Sequence, residues 1–411
     1  MGRTIYLKII LALSIFVTIY FRIYNNISNS KEFFWDSMVY YCGPITFNKT
    51  GNGYESLIQC SKELIDFKFV YLPIYLRLFN WDIFSPTSFK FFWICLITIS
   101  IILIIFIIKK IYNQNSYLMT LLFSLFCLSG IPLYGYLSGN ISNFLYIFTA
   151  LGILMIASYK ERKINIGLIL IMLPSLFKIH MILYLFVGLA VISKINFKLF
   201  SLLVLTPFCF LFLNKYIYPE EFELLSLNIA ILPYIGDMGT GSIQYINFIK
   251  SNVFQFGDAF KSGKHEWIVD LSLLNSKNFI IDYLIYLIFL ILVIYRIYCI
   301  RLVKLSKNIS DDIKLKISIG LLATYLVIPR LKQYDTILCS VPLLYLVNSQ
   351  YFISCIANSR FHIKSNYVIF FFNIIILGFY NIKGDNYFIY PIILIVFIIS
   401  SRLRDNIYIK N

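Results

Sequence analysis

Charge is scarce in this chain, and acidic charge scarcest: Asp and Glu number 20 and Lys and Arg 36 among 411 residues. With 14% charged and 59% hydrophobic residues and a mean hydropathy of +0.78, a soluble globular domain is excluded, because there is too little polar surface to cover one. Histidine occurs three times, at positions 180, 265 and 362. That scatter gives no metal-ligand spacing, so no metal and no cofactor is expected. There is no internal repeat and no soluble module, and the apolar runs are nearly free of charge, which places a flippase or transporter third among the readings. Of eight cysteines, six fall in apolar runs or beside their inner ends, where they pack as small hydrophobes. Cys42 and Cys60 differ, standing 18 positions apart in a polar stretch where a disulfide would persist if that stretch is extracytoplasmic. Bridged and free forms both remain open for this pair.

What the chain has in abundance is apolar runs long enough, or nearly so, to cross about 30 Å of hydrocarbon as helices. They fall at 5–23, 90–108, 116–138, 141–158, 164–177, 179–193, 197–213, 278–299, 315–329, 336–350, 366–380 and 387–400. The expected fold class is therefore all-α, a polytopic membrane protein with about 12 transmembrane helices in a single integral domain over 1–411. The fifth, sixth, ninth, tenth and eleventh runs are short, as tilted, broken or paired helices would be. The first run lacks a small-residue cleavage site and reads as a signal anchor.

Orientation follows from the short basic loops, which stay cytoplasmic. Lys109/Lys110, Lys160/Arg162/Lys163, Lys194/Lys198, Arg296 to Lys316, Arg360/Lys364 and Arg402/Arg404 all fall on one side when the runs alternate, so both termini are expected inside. The net charge of +16 is then membrane anchoring, and no nucleic-acid partner is expected. Two long extracytoplasmic loops remain, 24–89 and 214–277. Apolar and charged residues mixed at helical spacing between Glu55 and Asn80 predict amphipathic helices on the outer surface. All four tryptophans, at 35, 81, 93 and 267, fall outside or near the outer interface.

Four short features converge on that outer face. Asp36 stands in Phe33-Phe34-Trp35-Asp36-Ser37, with Tyr40 and Tyr41 one helical turn on. Tyr71 precedes Pro73 at the return to the bilayer. Leu137-Ser138-Gly139-Asn140-Ile141-Ser142-Asn143 makes a tight outer turn. Lys178 and His180, with Pro329-Arg330-Leu331-Lys332-Gln333-Tyr334-Asp335, place cations where the charge rule disfavours them. Either these cations snorkel to headgroups or pair with Asp66 or Asp335, or they hold an anion, of which a lipid phosphate is the nearest at that depth.

In this order, the aspartate, Tyr-x-Pro, Gly-Asn, the lysine closing the fifth run and Pro-Arg-x-Lys-x-Tyr-Asp resemble the DUF2029-type, family eighty-seven glycosyltransferases of the GT-C superfamily. The resemblance spans most of 1–350 and is strongest from Gly139 to His180. Members often carry Gly-Gln where this chain has Gly-Asn, and a proline where it has Ile179. The resemblance implies a GT-C-like enzyme of the bacterial inner membrane with an extracytoplasmic active site. It would move a sugar from a polyprenyl-phosphate donor to a cell-surface glycan or glycolipid acceptor, with membrane lipids as further partners. Asp36 would be the catalytic base, and Tyr71, Asn140, Lys178, His180, Arg330, Lys332, Tyr334 and Asp335 would bind substrate. A repeat-unit polymerase of O-antigen or capsule stands as the alternative, although the second loop lacks the arginines such an enzyme would concentrate there.

Overall fold

The computed structural model describes residues 35–54, 57, 60–61, 64, 68–79, 81–112, 138–192, 196–231, 278–328, 337–357 and 389–401. The expected spans 5–23 and 366–380, all of 116–138 but its last residue, and most of the second loop lie outside them. Every regular element among the described residues is helical. In chain order these are α1 (Trp35–Thr50), α2 (Pro73–Leu78), α3 (Pro86–Tyr112), α4 (Ser142–Ala157), α5 (Glu161–Met172), two 3₁₀ turns (Leu173–Leu176 and Ile179–Tyr184) and α6 (Leu185–Val191). There follow α7 (Phe197–Ile217), α8 (Pro219–Ile231), α9 (Asn278–Leu302), α10 (Ile309–Val327), α11 (Ser340–Val347), α12 (Gln350–Ala357) and α13 (Ile389–Ser400).

Three of these helices are long and apolar enough to cross a membrane: α3, α7 and, from Leu284 to Leu302, α9. Their starts obey local chemistry. Ser85 Oγ accepts from Ser88 N (3.2 Å) ahead of Pro86, whose missing N–H costs nothing in a first turn. Asn196 Oδ1 accepts from Leu199 N (3.2 Å) at the head of α7. Both α7 and α9 leave large apolar side chains bare, among them Leu205, Phe212, Ile288 and Ile291. Such faces would aggregate in water and suit hydrocarbon, so the fold is that of a helical membrane protein.

The interior is organised around α10, which is buried from Leu315 to Val327 and packs against α6, α9, α11 and α13. Beside it α4 and α5 form a tight hairpin, with α3 against α4. The hairpin's closeness has a specific cause: a Cβ on Gly152 would lie 2.5 Å from Gly167 O, and one on Gly167 would lie 2.6 Å from Gly152 O. Only hydrogen fits between these backbones.

The fifth and sixth expected spans are shorter as α-helices than the apolar pattern indicated. Pro174 lacks a backbone N–H, and the chain passes from α5 through 3₁₀ geometry to Tyr184 before α6 resumes. The tenth expected span, 336–350, holds α11 from Ser340 to Val347, and α12 starts at its last residue, Gln350.

An outer layer of helices sits over this bundle. From Trp35 the chain forms a 16-residue helix, α1, where a polar loop was expected; Pro44 inside it and a polar end disguise it in the sequence. The Cys42–Cys60 disulfide is present and ties α1 to the segment that follows. Within 55–80, where amphipathic helices were expected, the described residues include α2, six residues long. Arg77 of α2 donates to Glu221 of α8 (2.5 Å), and its guanidinium lies 4.6 Å from the Phe47 ring centre and 4.1 Å from that of Tyr218. Asn228 of α8 donates to Tyr54 O (2.9 Å) and Phe69 O (3.1 Å). Thus α8 is fastened onto α2 and the segment between α1 and α2.

Candidate functional site

The site is built on the turn before α4. Gly139 adopts φ +71°, which a side chain would resist, and its carbonyl accepts the indole N–H of Trp93 on α3 (2.7 Å). This pins the turn to the bundle. The next residue, Asn140, is 4% exposed, and its Oδ1 accepts from Ser142 N (2.9 Å), satisfying an N–H that the helix start leaves open. The amide then has one orientation available to its other contacts.

Two charged groups meet on that amide. Asn140 Nδ2 donates to Asp36 Oδ2 at 2.8 Å, and Lys178 Nζ donates to Asn140 Oδ1 at 2.9 Å. Lys178 Nζ also donates to Ser142 Oγ at 2.6 Å. A carboxylate and an ammonium are therefore bridged by a single amide whose donor end faces the anion and whose acceptor end faces the cation. Hydrogen bonds to charged groups contribute about 1.5–3 kcal/mol each, against about 1 for neutral pairs.

Lys178 arrives from the break between the two 3₁₀ turns. Its backbone is extended (φ −133°, ψ 97°), while its N–H donates to Pro174 O (3.0 Å). The outer layer holds this break in place: Tyr75 of α2 donates its hydroxyl to Leu176 O (2.8 Å) and stacks on Phe177, ring centres 4.4 Å apart. Asn214 of α7 supports α2 in turn, its Oδ1 accepting from Ile74 N at 3.2 Å.

Asp36 is half-buried on α1, and one turn later Tyr40 is buried against Trp93. The Tyr40 hydroxyl accepts from Ile141 N (3.2 Å) and shares a hydrogen bond with the Tyr71 hydroxyl (2.7 Å). Burial first, and then the proximity of Tyr71 and Asp36, push the Tyr40 phenol well above its ordinary range, so it stays protonated. Tyr71, half-buried, is the outer end of this phenol pair.

Of the residues singled out in the sequence, Asp36, Asn140 and Lys178 meet directly, and Tyr71 joins them through Tyr40. His180 lies two residues beyond Lys178 in the second 3₁₀ turn, half-buried. Arg330, Lys332, Tyr334, Asp335 and Asp66 lie outside the described residues. Sequence reasoning passed over Ser142 and Tyr40 as site members, although both stood in the motifs it quoted. It also missed Tyr75, which it did not single out, and Trp93, which it read as an interface anchor. Among the described residues no three His, Cys, Asp or Glu side chains gather as a metal site.

Comparison of the chain with family models, with curated proteins and with solved structures returned no match.

Proposed function

We propose that this protein is an inverting membrane glycosyltransferase that takes a sugar from a polyprenyl-phosphate donor and adds it to a cell-surface glycan or glycolipid acceptor. In this reading the fold is GT-C-like with about twelve spans, and the site faces outward from a bacterial inner membrane. The observation that carries it is the Asp36–Asn140–Lys178 unit, a carboxylate and a cation held one amide apart by bonds of 2.8 and 2.9 Å.

The chemistry needs both charges. As the acceptor hydroxyl attacks the anomeric carbon, the bond from that carbon to the phosphate oxygen breaks. The hydroxyl proton passes to Asp36 acting as base, a contribution of about 10²–10⁴-fold. The departing lipid phosphate gains a negative charge, which Lys178, with Arg330 and Lys332, would stabilise. A single displacement opposite the leaving group inverts the anomeric configuration. Tyr71, His180, Tyr334 and Asp335 are assigned to sugar or acceptor hydroxyls, and no cofactor takes part.

The test is mass spectrometry of the surface glycan from a deletion strain complemented with wild type or Asp36→Asn. Loss of one residue or branch, restored by wild type alone, supports the proposal. Full restoration by Asp36→Asn removes Asp36 from the mechanism, and accumulation of a single unpolymerised repeat unit makes the protein a polymerase.

A further inference from the structure

We infer that Asn140 is a positioning residue, tying the ionisation of Asp36 to the placement of Lys178, and does not bind the sugar as its sequence motif implied. The inference rests on the reading above only in naming Asp36 the base; the coupling itself stands on the geometry.

A side-chain amide offers two lone pairs and two N–H donors. Both lone pairs of Asn140 Oδ1 are used, by Lys178 Nζ and Ser142 N, each at 2.9 Å. One Nδ2 proton goes to Asp36 Oδ2, and the residue is 4% exposed. Turning the amide over would set its N–H groups against an ammonium and a backbone N–H, and its oxygen against a carboxylate. Three attractive contacts would become repulsive, so the amide is held in the orientation that stabilises an ionised Asp36 and a protonated Lys178. Ser142 Oγ, at 2.6 Å, acts on the cation alone.

This arrangement has a consequence for turnover. While Asp36 is ionised, the three side chains are neutral overall. When Asp36 takes the acceptor's proton, the Nδ2 bond loses its charge assistance and the unit becomes net +1, in the same step in which the phosphate acquires its extra negative charge. Asn140 thereby presents the cation's field when the leaving group needs it.

Tyr40, on the same helix as Asp36, is a protonated phenol, paired with Tyr71. Of the elements packed on α1, α3 contributes Lys90, the turn before α3 contributes Asp82, which interacts with Tyr41, and α2 contributes Arg77, engaged with Glu221. Among the described residues, Asn140 links Asp36 to the ammonium of Lys178.

The experiment uses the purified full chain in lipid nanodiscs and dicyclohexylcarbodiimide, which modifies protonated carboxyls in apolar surroundings. Labelling of the Asp36 peptide is followed by mass spectrometry from pH 5 to 9, with folding checked by thermal unfolding. Asn140→Leu removes the donor with little change in shape and should raise labelling of Asp36 at pH 7 about tenfold, the effect of one pK unit. Asn140→Asp, which keeps oxygens for Lys178 and sets a second carboxylate against Asp36, should raise it further. Ser142→Ala leaves Asp36's donor in place and should leave its labelling unchanged. Labelling identical to wild type in folded Asn140→Leu or Asn140→Asp would overturn the inference, as would an increase in Ser142→Ala equal to that in Asn140→Leu, which would mean general loosening. Should the leucine variant fail to fold, the aspartate variant decides. Labelling needs no transfer: shifted labelling without transferase activity would sink the enzyme reading and leave the coupling, and activity with unshifted labelling would do the reverse.

Discussion

Removing the Cys42–Cys60 bridge should loosen α1, the helix that carries Asp36, while sparing the membrane-embedded core. The bridge closes a loop of 18 residues and ties the buried Cys42 to the half-buried Cys60. Treated as loop-closure entropy removed from the open state, a loop of that size contributes roughly 3 kcal/mol at 25 °C. At about 1.4 kcal/mol per tenfold, that is an increase on the order of 200-fold in the equilibrium for local opening. Hydrogen exchange resolved by mass spectrometry on a Cys42→Ala/Cys60→Ala variant reads this directly. Peptides from α1 should exchange about two orders of magnitude faster, and those from α10, whose burial owes nothing to the bridge, should keep wild-type rates. Unchanged exchange in α1 would refute the reasoning, because the outer layer would then be held by its other ties, Arg77 to Glu221 and Asn228 to the carbonyls of Tyr54 and Phe69. Equal acceleration in α1 and α10 would refute it differently, by making the outer layer and the bundle one cooperative unit.

Two further outcomes are expected. Asn143 is fully buried, and among the described residues neither its Nδ2 nor its Oδ1 has a hydrogen-bond partner, so the near-isosteric Asn143→Leu should be neutral or stabilising by up to about 1–3 kcal/mol in detergent unfolding; a marked loss would show that the amide is paired. For Glu221 burial acts to raise the pKa, but the hydrogen bond and charge of Arg77 outweigh it and hold the carboxyl below its usual 4.5. Its contribution is then complete above about pH 4.5 and lost as pH falls through the lower folded value, so the protection of α8 amides, measured against their intrinsic exchange at each pH, should drop on acidification below that point in wild type and show no such step in Glu221→Gln.

Asp36, Asn140 and Lys178 were each legible in the sequence, because a polar or charged residue in a chain this apolar needs a reason to be where it is. Their partnership was not, since hydrogen bonds spanning 104 and 38 positions follow from packing and leave no periodic trace. The amide's contacts were hidden for the same reason: nothing in a Gly-Asn turn says that both ends of the side chain are occupied from within. The long spans α3, α7 and α9 were evident from hydropathy, whereas α1 was hidden by Gly43-Pro44, which ordinarily signal the end of a helix. Short apolar runs around Lys178 did announce irregular backbone, but 3₁₀ geometry differs from α by hydrogen-bond register alone, and composition does not encode that.

The spacing of the three site residues along the chain also sets the order in which the site can be assembled. Lys178 reaches Asn140 by closing 38 residues, most of which are the α4–α5 hairpin, a local structure that forms early. Asp36 must be brought across 104 residues, and the longer closure costs about 0.9 kcal/mol more in chain entropy on the logarithmic scale of loop lengths. On that reckoning the cation is seated first and the carboxylate last, so a partly folded chain carries Lys178 on Asn140 with the amide's other end still open, and the docking of α1 closes the unit.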